Sequence, residues 1–384
     1  MWSSPCYKRA TARAHPAVLY SAIQPSLTTN ATSDTPDFPI PRQLPETLVM
    51  TQTSTMDAFL VTTPNKWAVQ QAEVPTAKDG EVVIRVKASA VNPLDAKMAK
   101  EGFMIRAFPS PLGVEISGIV SATGPSVTTF KVGDAVIARA QLNGFAEYAT
   151  ATVRHTWHKP ANLSYTEAAT IPVGTLTAVI GLFSEKGLKI SRPRDAKPQT
   201  PKEYLLVWGG SSTVGSYAVQ LATAAGYKVI ATASPKQHKT VLALGAAHVV
   251  DYNAPDAVEQ IRKLTGGEAK LAFDAVGGPA TAQAAAALRA DVAHPSTIVT
   301  TAVGAPEIPA GVTLLPTIMG FDPTLAGFVH EVIGDELLGY FAEGKLKPSR
   351  VRVVDGGLEG LGEALELLAA KKVSGEKLVL THPE

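Results

Sequence analysis

The chain has 384 residues, 45% of them hydrophobic and 18% charged, with a formal net charge of +1. That is enough chain for two domains with substantial cores, and the balance gives no reason to expect nucleic acid or an acidic surface as a partner. Cys6 is the single cysteine, which excludes an internal disulfide and a cysteine-based zinc lobe; no apolar run reads as a membrane span, and no internal repeat is found.

Residues 1–55 differ from the rest. Lys8, Arg9 and Arg13 come early, no acid precedes Asp34, and Ser, Thr and Pro dominate through Pro45. A cationic, hydroxyl-rich, acid-poor start describes an organelle transit peptide, and equally a disordered tail with little to bury. A third reading is that Met50 or Met56 opens the working protein. The expected location is cytoplasmic, or mitochondrial if residues 1–50 are a transit peptide. Met56–Val61 reads as the first strand, and the chain stays strand-rich to residue 165. Val82–Ala88 alternates most clearly, and Gly113, Gly118, Gly124, Gly133 and Gly144 punctuate short strands, as a partly open β-barrel requires.

Over residues 166–320, β and α patterns take turns. Tyr204–Trp208, Tyr227–Ala233, His248–Asp251, Leu271–Val276 and Ile298–Val303 are the expected strands of a parallel, doubly wound sheet. Lys186–Lys202 is a basic, Pro-containing connection ahead of the first of them. A glycine-rich turn joins that first strand to an amphipathic helix. Gly210 and Gly215 stand five apart, and Ser212 holds the place where a middle glycine is usual. The backbone of Gly210, Ser211, Ser212, Thr213, Val214 and Gly215 can approach a diphosphate, with the helix N-terminus adding positive partial charge.

The end of the second expected strand bears on which dinucleotide binds. An NAD site places a carboxylate there, on the ribose 2′-hydroxyl. The segment Ala231–Lys239 has none, and instead carries Ser234, Lys236 and Lys239, which suit the 2′-phosphate of NADPH. The same residues also read as a helix N-cap at Ser234, Pro235 at the first helical position, and solvated lysines; both readings can hold together. Beyond about Phe321 come a helix through Phe341, a strand at Val351–Val354, a helix at Leu358–Lys371 and a strand at Lys377–Thr381. Residues 321–384 are expected to return and complete the first domain.

From Met56 onward the chain resembles the medium-chain dehydrogenase/reductases. The resemblance rests on AVNPLDAK (Ala90–Lys97), PLGVEISGIV (Pro111–Val120), VGDAVIA (Val132–Ala138), GFAEYA (Gly144–Ala149), Ala168–Ala178, the nucleotide turn, LGAAHVVDY (Leu244–Tyr252), FDAVGG (Phe273–Gly278) and VSGEKLVL (Val373–Leu380). It implies a GroES-like catalytic domain followed by a Rossmann NADP-binding domain. Zinc members of that superfamily carry Gly-His-Glu where this chain has Gly113-Val114-Glu115, and valine cannot ligate. His155 and His158 stand three apart without an evident third ligand. The expectation is a zinc-free reductase, whose acceptors take hydride at carbon: conjugated enones, enoyl thioesters and quinones.

Further roles follow from the resemblance alone. Asn92, Asp95 and Lys97 lie in a segment that borders the nicotinamide in zinc-free relatives. Asn92 would hold the carboxamide or ribose, and Lys97 would donate a hydrogen bond or proton, or else be a solvated helix lysine. Thr177 matches a threonine that touches the nicotinamide, or is a core threonine. Tyr252 matches a tyrosine beside the 2′-phosphate, or packs on the surface. Ser374, Gly375 and Glu376 lie in a late segment that reaches the cofactor, or form a C-terminal turn. Residues 88–108 hold no tyrosine, unlike mitochondrial enoyl thioester reductases. The closer resemblance is to fungal trans-acting enoyl reductases, which implies a small-molecule or carrier-bound unsaturated acyl substrate and a polyketide synthase partner. Quinone reduction and non-catalytic NADPH binding are the alternatives. Val312–Met319 is an apolar run that extends a sheet across a dimer or forms a buried intramolecular strand, so the chain is a monomer or homodimer.

Overall fold

Alternating burial opens the structured part of the chain. In β1 (Thr55–Thr63) the side chains of Met56, Ala58, Phe59 and Val61 are buried while Asp57 and Thr63 face out. A computed structural model describes residues 54–195, 203–301, 306–316 and 322–382. The readings made for residues 1–50, and the ends of the expected runs at Lys202, Val303 and Met319, lie outside the described residues.

The first domain contains β2 (Lys66–Glu73), β3 (Glu81–Ala90), helix α1 (Pro93–Glu101), β4 (Ser110–Pro111), β5 (Glu115–Thr123), β6 (Ala135–Arg139), β7 (Tyr148–Thr152) and β8 (Thr156–His158). A three-stranded sheet runs β2-β1-β4. Strand β3 pairs antiparallel with β5 and with β7, and its register with β5 shifts twice, between Val83 and Ile84 and between Val86 and Ala88. Such irregularities bend a strand and sharpen its twist, which curls the sheet toward a barrel. Val82, Ile84 and Val86 then point into a core with Ile116, Val120 and Val136.

The chain next forms helices α2 (Tyr165–Ala168) and α3 (Pro172–Phe183). Residues 165–183 are long and apolar enough to cross a bilayer by length and hydropathy, but 83% of that window is buried inside the protein. There follow β9 (Tyr204–Trp208), α4 (Thr213–Ala224), β10 (Lys228–Thr232), α5 (His238–Ala243), β11 (His248–Val250), α6 (Ala257–Thr265), β12 (Leu271–Asp274), α7 (Pro279–Ala287), β13 (Ser296–Thr300) and β14 (Val312–Pro316). They make a wholly parallel sheet in the order β11-β10-β9-β12-β13-β14. Strand order reverses between β9 and β12, which is where an open α/β sheet leaves a crevice at the carboxyl ends of its strands. Val312–Pro316 pairs with β13 inside the chain, and it is half-buried rather than buried.

Helical residues 326–342 follow as α8 (Ala326–Glu331), a π-helical turn (Val332–Leu337) and α9 (Leu338–Ala342). Val329, Val332, Ile333, Leu337 and Phe341 share one core with Leu205, Val207 and Tyr217 of the parallel-sheet domain. The Phe341 ring meets Tyr217 edge-on at 6.0 Å. The same core also holds Ile137 and Trp157 of the first domain, and the Trp157 indole donates to the His330 carbonyl at 3.1 Å, so these helices lie against both domains. Then come β15 (Val351–Val354), α10 (Leu361–Ala369) and β16 (Lys377–Thr381), which extend the large sheet as β15-β16-β3. The protein is thus an α/β fold joining a GroES-like β domain to a Rossmann-like parallel sheet.

Candidate functional site

A cleft of about 660 Å³ lies where the two domains meet. Its floor and one wall come from Asn92, Val114, Arg139 and the segment Val373–Leu378, and its other wall from the nucleotide turn, Tyr252, Ala275 and Val276.

The turn is built by backbone. Gly209 has φ +82°, the left-handed region that glycine occupies without a steric cost. A Cβ on Gly215 would stand 2.2 Å from the Gly209 carbonyl oxygen, so only glycine lets α4 start this close to β9. Ser212 is the N-cap: its Oγ accepts from the Gly215 N–H at 3.0 Å, and its carbonyl accepts from the Ser216 N–H at 2.8 Å. The N–H groups of Thr213 and Val214 are left at the head of a twelve-residue helix, beside the cleft. Two donors without a partner among the described residues, on a positive helix end, fit the diphosphate of a dinucleotide. Ser211, Ser212, Thr213 and Val214 line the cleft, whereas Gly210 and Gly215 are buried behind it.

Across the crevice Asp274 holds the opposite lip in place. Its buried carboxylate accepts from the N–H of Val276 (2.9 Å) and Gly277 (3.1 Å) and from the hydroxyls of Thr281 (2.6 Å) and Thr300 (3.0 Å). These bonds keep the turn after β12 rigid, with Ala275 and Val276 turned to the cleft.

The floor carries a buried polar network. The Glu115 carboxylate accepts from the Lys377 ammonium at 2.8 Å, from the Asn92 amide at 3.2 Å, and from the Val173 N–H at 2.7 Å. Val173 follows Pro172 at the start of α3, so its N–H is one that no helix carbonyl can take. Lys377 also donates to Asn92 Oδ1 at 2.6 Å. Burying an ion pair costs more than the attraction returns unless further hydrogen bonds satisfy it, and here they do. Because lysine only donates and carboxylate only accepts, the Asn92 amide has a single workable orientation.

Each residue singled out from the sequence now has a place. Asn92 lines the cleft, but both of its amide hydrogens are spent, on Glu115 and on the Ala90 carbonyl at 3.3 Å. It can still accept a hydrogen bond, not donate one. Asp95 is fully buried and caps α1, accepting from the Asn92 N–H at 2.8 Å; it acts through Asn92 and lies off the cleft. Burial pushes its carboxyl up to about 7, partly offset by the Asn92 N–H and by Lys377.

Lys97 points outward from α1, its ammonium 4.3 Å from the centre of the Phe103 ring, and it does not border the cleft. Thr177 is fully buried and donates to the Val173 carbonyl at 2.7 Å; Val173, Gly174 and Leu176 of the same helix face the cleft in its stead. Ser234 precedes a single 3-10 turn with Pro235 at its start, and Lys236 and Lys239 are exposed, all three off the cleft. Tyr252, Ser374 and Gly375 do line it, the last two tied across the domains by the Gln237 amide on the Ser374 carbonyl at 3.0 Å.

Three charged lining residues were not singled out from the sequence: Lys371, Lys377 and Arg139. Lys377 carried a signal, since it lies in the quoted VSGEKLVL motif. Lys371 has a left-handed backbone (φ 55°), and nothing local marks Arg139.

Zinc does not fit the side chains here. Val114 lines the cleft where a ligand would be needed, and Glu115 is committed to Lys377, Asn92 and Val173. Among the described residues no three His, Cys, Asp or Glu side chains come together. His155 contacts Thr152 Oγ1 at 3.1 Å, and burial followed by the nearby Arg139 charge depresses it to about 4; exposed His158 packs against Phe130.

Comparison with known proteins identifies the fold family. Residues 78–184 match the family model for the alcohol dehydrogenase GroES-like domain, and residues 213–327 match that for zinc-binding dehydrogenase. Dehydrogenase azaJ of Aspergillus niger is 34% identical over 337 residues, covering 82% of this chain and 95% of its own. Trans-enoyl reductase himH of Aspergillus japonicus is 32% identical, covering 78% of this chain and 89% of its own. Among solved structures, the CurK enoyl reductase superposes with a TM-score of 0.69 at 27% identity, covering 86% of this chain and all of its own.

Proposed function

The chain belongs to the medium-chain dehydrogenase/reductase superfamily, and from that premise we propose that it is an NADPH-dependent, zinc-independent reductase of α,β-unsaturated carbonyls. The observation that carries the reading is the pairing of the Thr213 and Val214 N–H groups, without a partner among the described residues, on one wall with a polar floor whose described side chains form no metal-ligand set. When bound, a nicotinamide would supply hydride for the β-carbon of a conjugated acceptor. The chain's own work is to bind, orient and exclude water. Thr213 and Val214 would take the diphosphate, Tyr252 and Lys371 supply a ring and a cation for the phosphorylated ribose, and Val114, Leu176 and Trp208 give the cleft apolar surface.

The relatives named trans-enoyl reductases favour an enoyl acceptor, and the form proposed for it is an acyl chain on a carrier protein of a polyketide synthase. Following absorbance of the reduced nicotinamide with NADPH or NADH and a panel of crotonyl thioester, enone and naphthoquinone tests this. NADPH consumption with the thioester or enone, at least tenfold faster than with NADH, is expected. Equal use of NADH sinks the cofactor choice, a strong preference for naphthoquinone moves the acceptor to quinones, and chelator-sensitive alcohol oxidation sinks the metal-free reading.

A further inference from the structure

We infer that Lys377 is the catalytic hydrogen-bond donor to the acceptor's oxygen, held in place by Glu115 and Asn92 as positioning residues. This rests on the reductase reading above. An ammonium has three N–H bonds. Glu115 and Asn92 take two of them, at 2.8 and 2.6 Å, and the third has no partner among the described residues, while Lys377 lines the cleft.

Competing donors on this floor drop out one by one. Asn92 has no amide hydrogen left, since Glu115 and the Ala90 carbonyl hold both. Arg139 already has a partner in the protein. Lys97, the lysine that the sequence suggests, faces away. Asp95 is sealed beneath Asn92.

The surroundings suit charge stabilisation. The Lys377 side chain is only 5% exposed, so little water competes for it. Two fixed partners remove the rotamer freedom that makes an ordinary lysine a poor fixed donor, and Glu115 is itself anchored on the Val173 N–H at the start of α3. A preorganised cation in a dry site stabilises an oxygen that gains negative charge as hydride reaches the β-carbon, and losing one such donor typically costs on the order of a hundred- to a thousandfold in turnover. The acceptor class is narrowed accordingly: the double bond must be conjugated to an oxygen.

The test uses the full chain with NADPH, crotonyl-coenzyme A and 3-penten-2-one as probes. Lys377→Met is expected to lower kcat on both by about a hundredfold, with NADPH affinity, read by quenching of protein fluorescence, within threefold of wild type. Lys377→Arg, which keeps donors, should recover at least a tenth of the wild-type rate. Because Lys377→Met alone leaves Glu115 without a counter-charge, Lys377→Met/Glu115→Gln removes both charges; it should keep the wild-type melting temperature and show the same loss. A folded variant with kcat within threefold of wild type overturns the assignment, as does a loss of NADPH affinity that accounts for the whole effect. Wild-type protein that binds NADPH yet reduces neither probe overturns the reductase reading and this inference with it.

Discussion

The two walls of the cleft are built by different means. On one wall the polar groups are main-chain N–H groups of Thr213 and Val214, presented by a turn whose shape depends on Gly209 and Gly215. On the floor the polar groups are side chains, Asn92, Glu115 and Lys377, from three strand ends 23 and 285 residues apart in sequence. A backbone site tolerates changes of side chain but not of backbone geometry. A side-chain network behaves the other way round: any one member, once removed, leaves the others buried and unmatched.

The largest test of that contrast is Gly215→Val. A branched side chain where even a Cβ meets the Gly209 carbonyl at 2.2 Å must push α4 away from β9. A destabilisation of about 3 kcal/mol is expected by denaturant titration, together with loss of measurable NADPH binding. Thr213→Ala keeps both N–H groups, so NADPH affinity should change by less than about fivefold, the worth of one ordinary hydrogen bond. Equal losses from the two variants would break the contrast.

The floor is sharpened by Asp95→Asn. Burial raises the Asp95 carboxyl from 3.8 to about 7 in the folded protein. The folded state therefore holds a proton that the unfolded chain releases at lower pH, and stability from this group falls as pH rises from about 4 to about 7. Buried His382 and half-buried His155, both depressed to about 4, act oppositely and lose stability as pH falls below 6.5. Wild-type and variant must accordingly be compared directly. Their difference in unfolding free energy should change by about 1.4 kcal/mol per pH unit across that window, while a pH-independent difference would remove Asp95 from the titration.

A smaller effect separates the lysines. Lys371 borders the cleft, whereas Lys236 and Lys239 stand off it. Lys371→Ala should raise KM for NADPH by about tenfold, roughly one partly exposed charged contact, with little change for NADH. Lys239→Ala should leave both within about twofold. The reverse ranking would return the phosphate-binding role to the end of β10.

Much of this protein was legible in its residues. The strand at Tyr204–Trp208, the following glycine turn with its helix, and the strands at Val351–Val354 and Lys377–Thr381 fall where pattern alone places them. Local chemistry decides such features: an apolar run needs burial, a glycine permits a turn, and a serine caps the helix that follows. The 326–342 helices were harder to assign, because an amphipathic pattern says that a face is buried but not against which domain. Lys97 and Thr177 illustrate the same gap inside single helices, since a motif gives a residue's neighbourhood and helical phase then turns its side chain toward the cleft or away from it.

The sequence by itself determined the fold class, the glycine turn that opens into α4 and the missing histidine at Val114, because each is written in consecutive residues. Only the tertiary structure decided that Glu115, Asn92 and Lys377 form one network and that Lys377 has a donor to spare. The reason is physical: sheet pairing of β16 with β3, and of β3 with β5, brings distant strand ends together, and burial then compels the charges found there to satisfy one another.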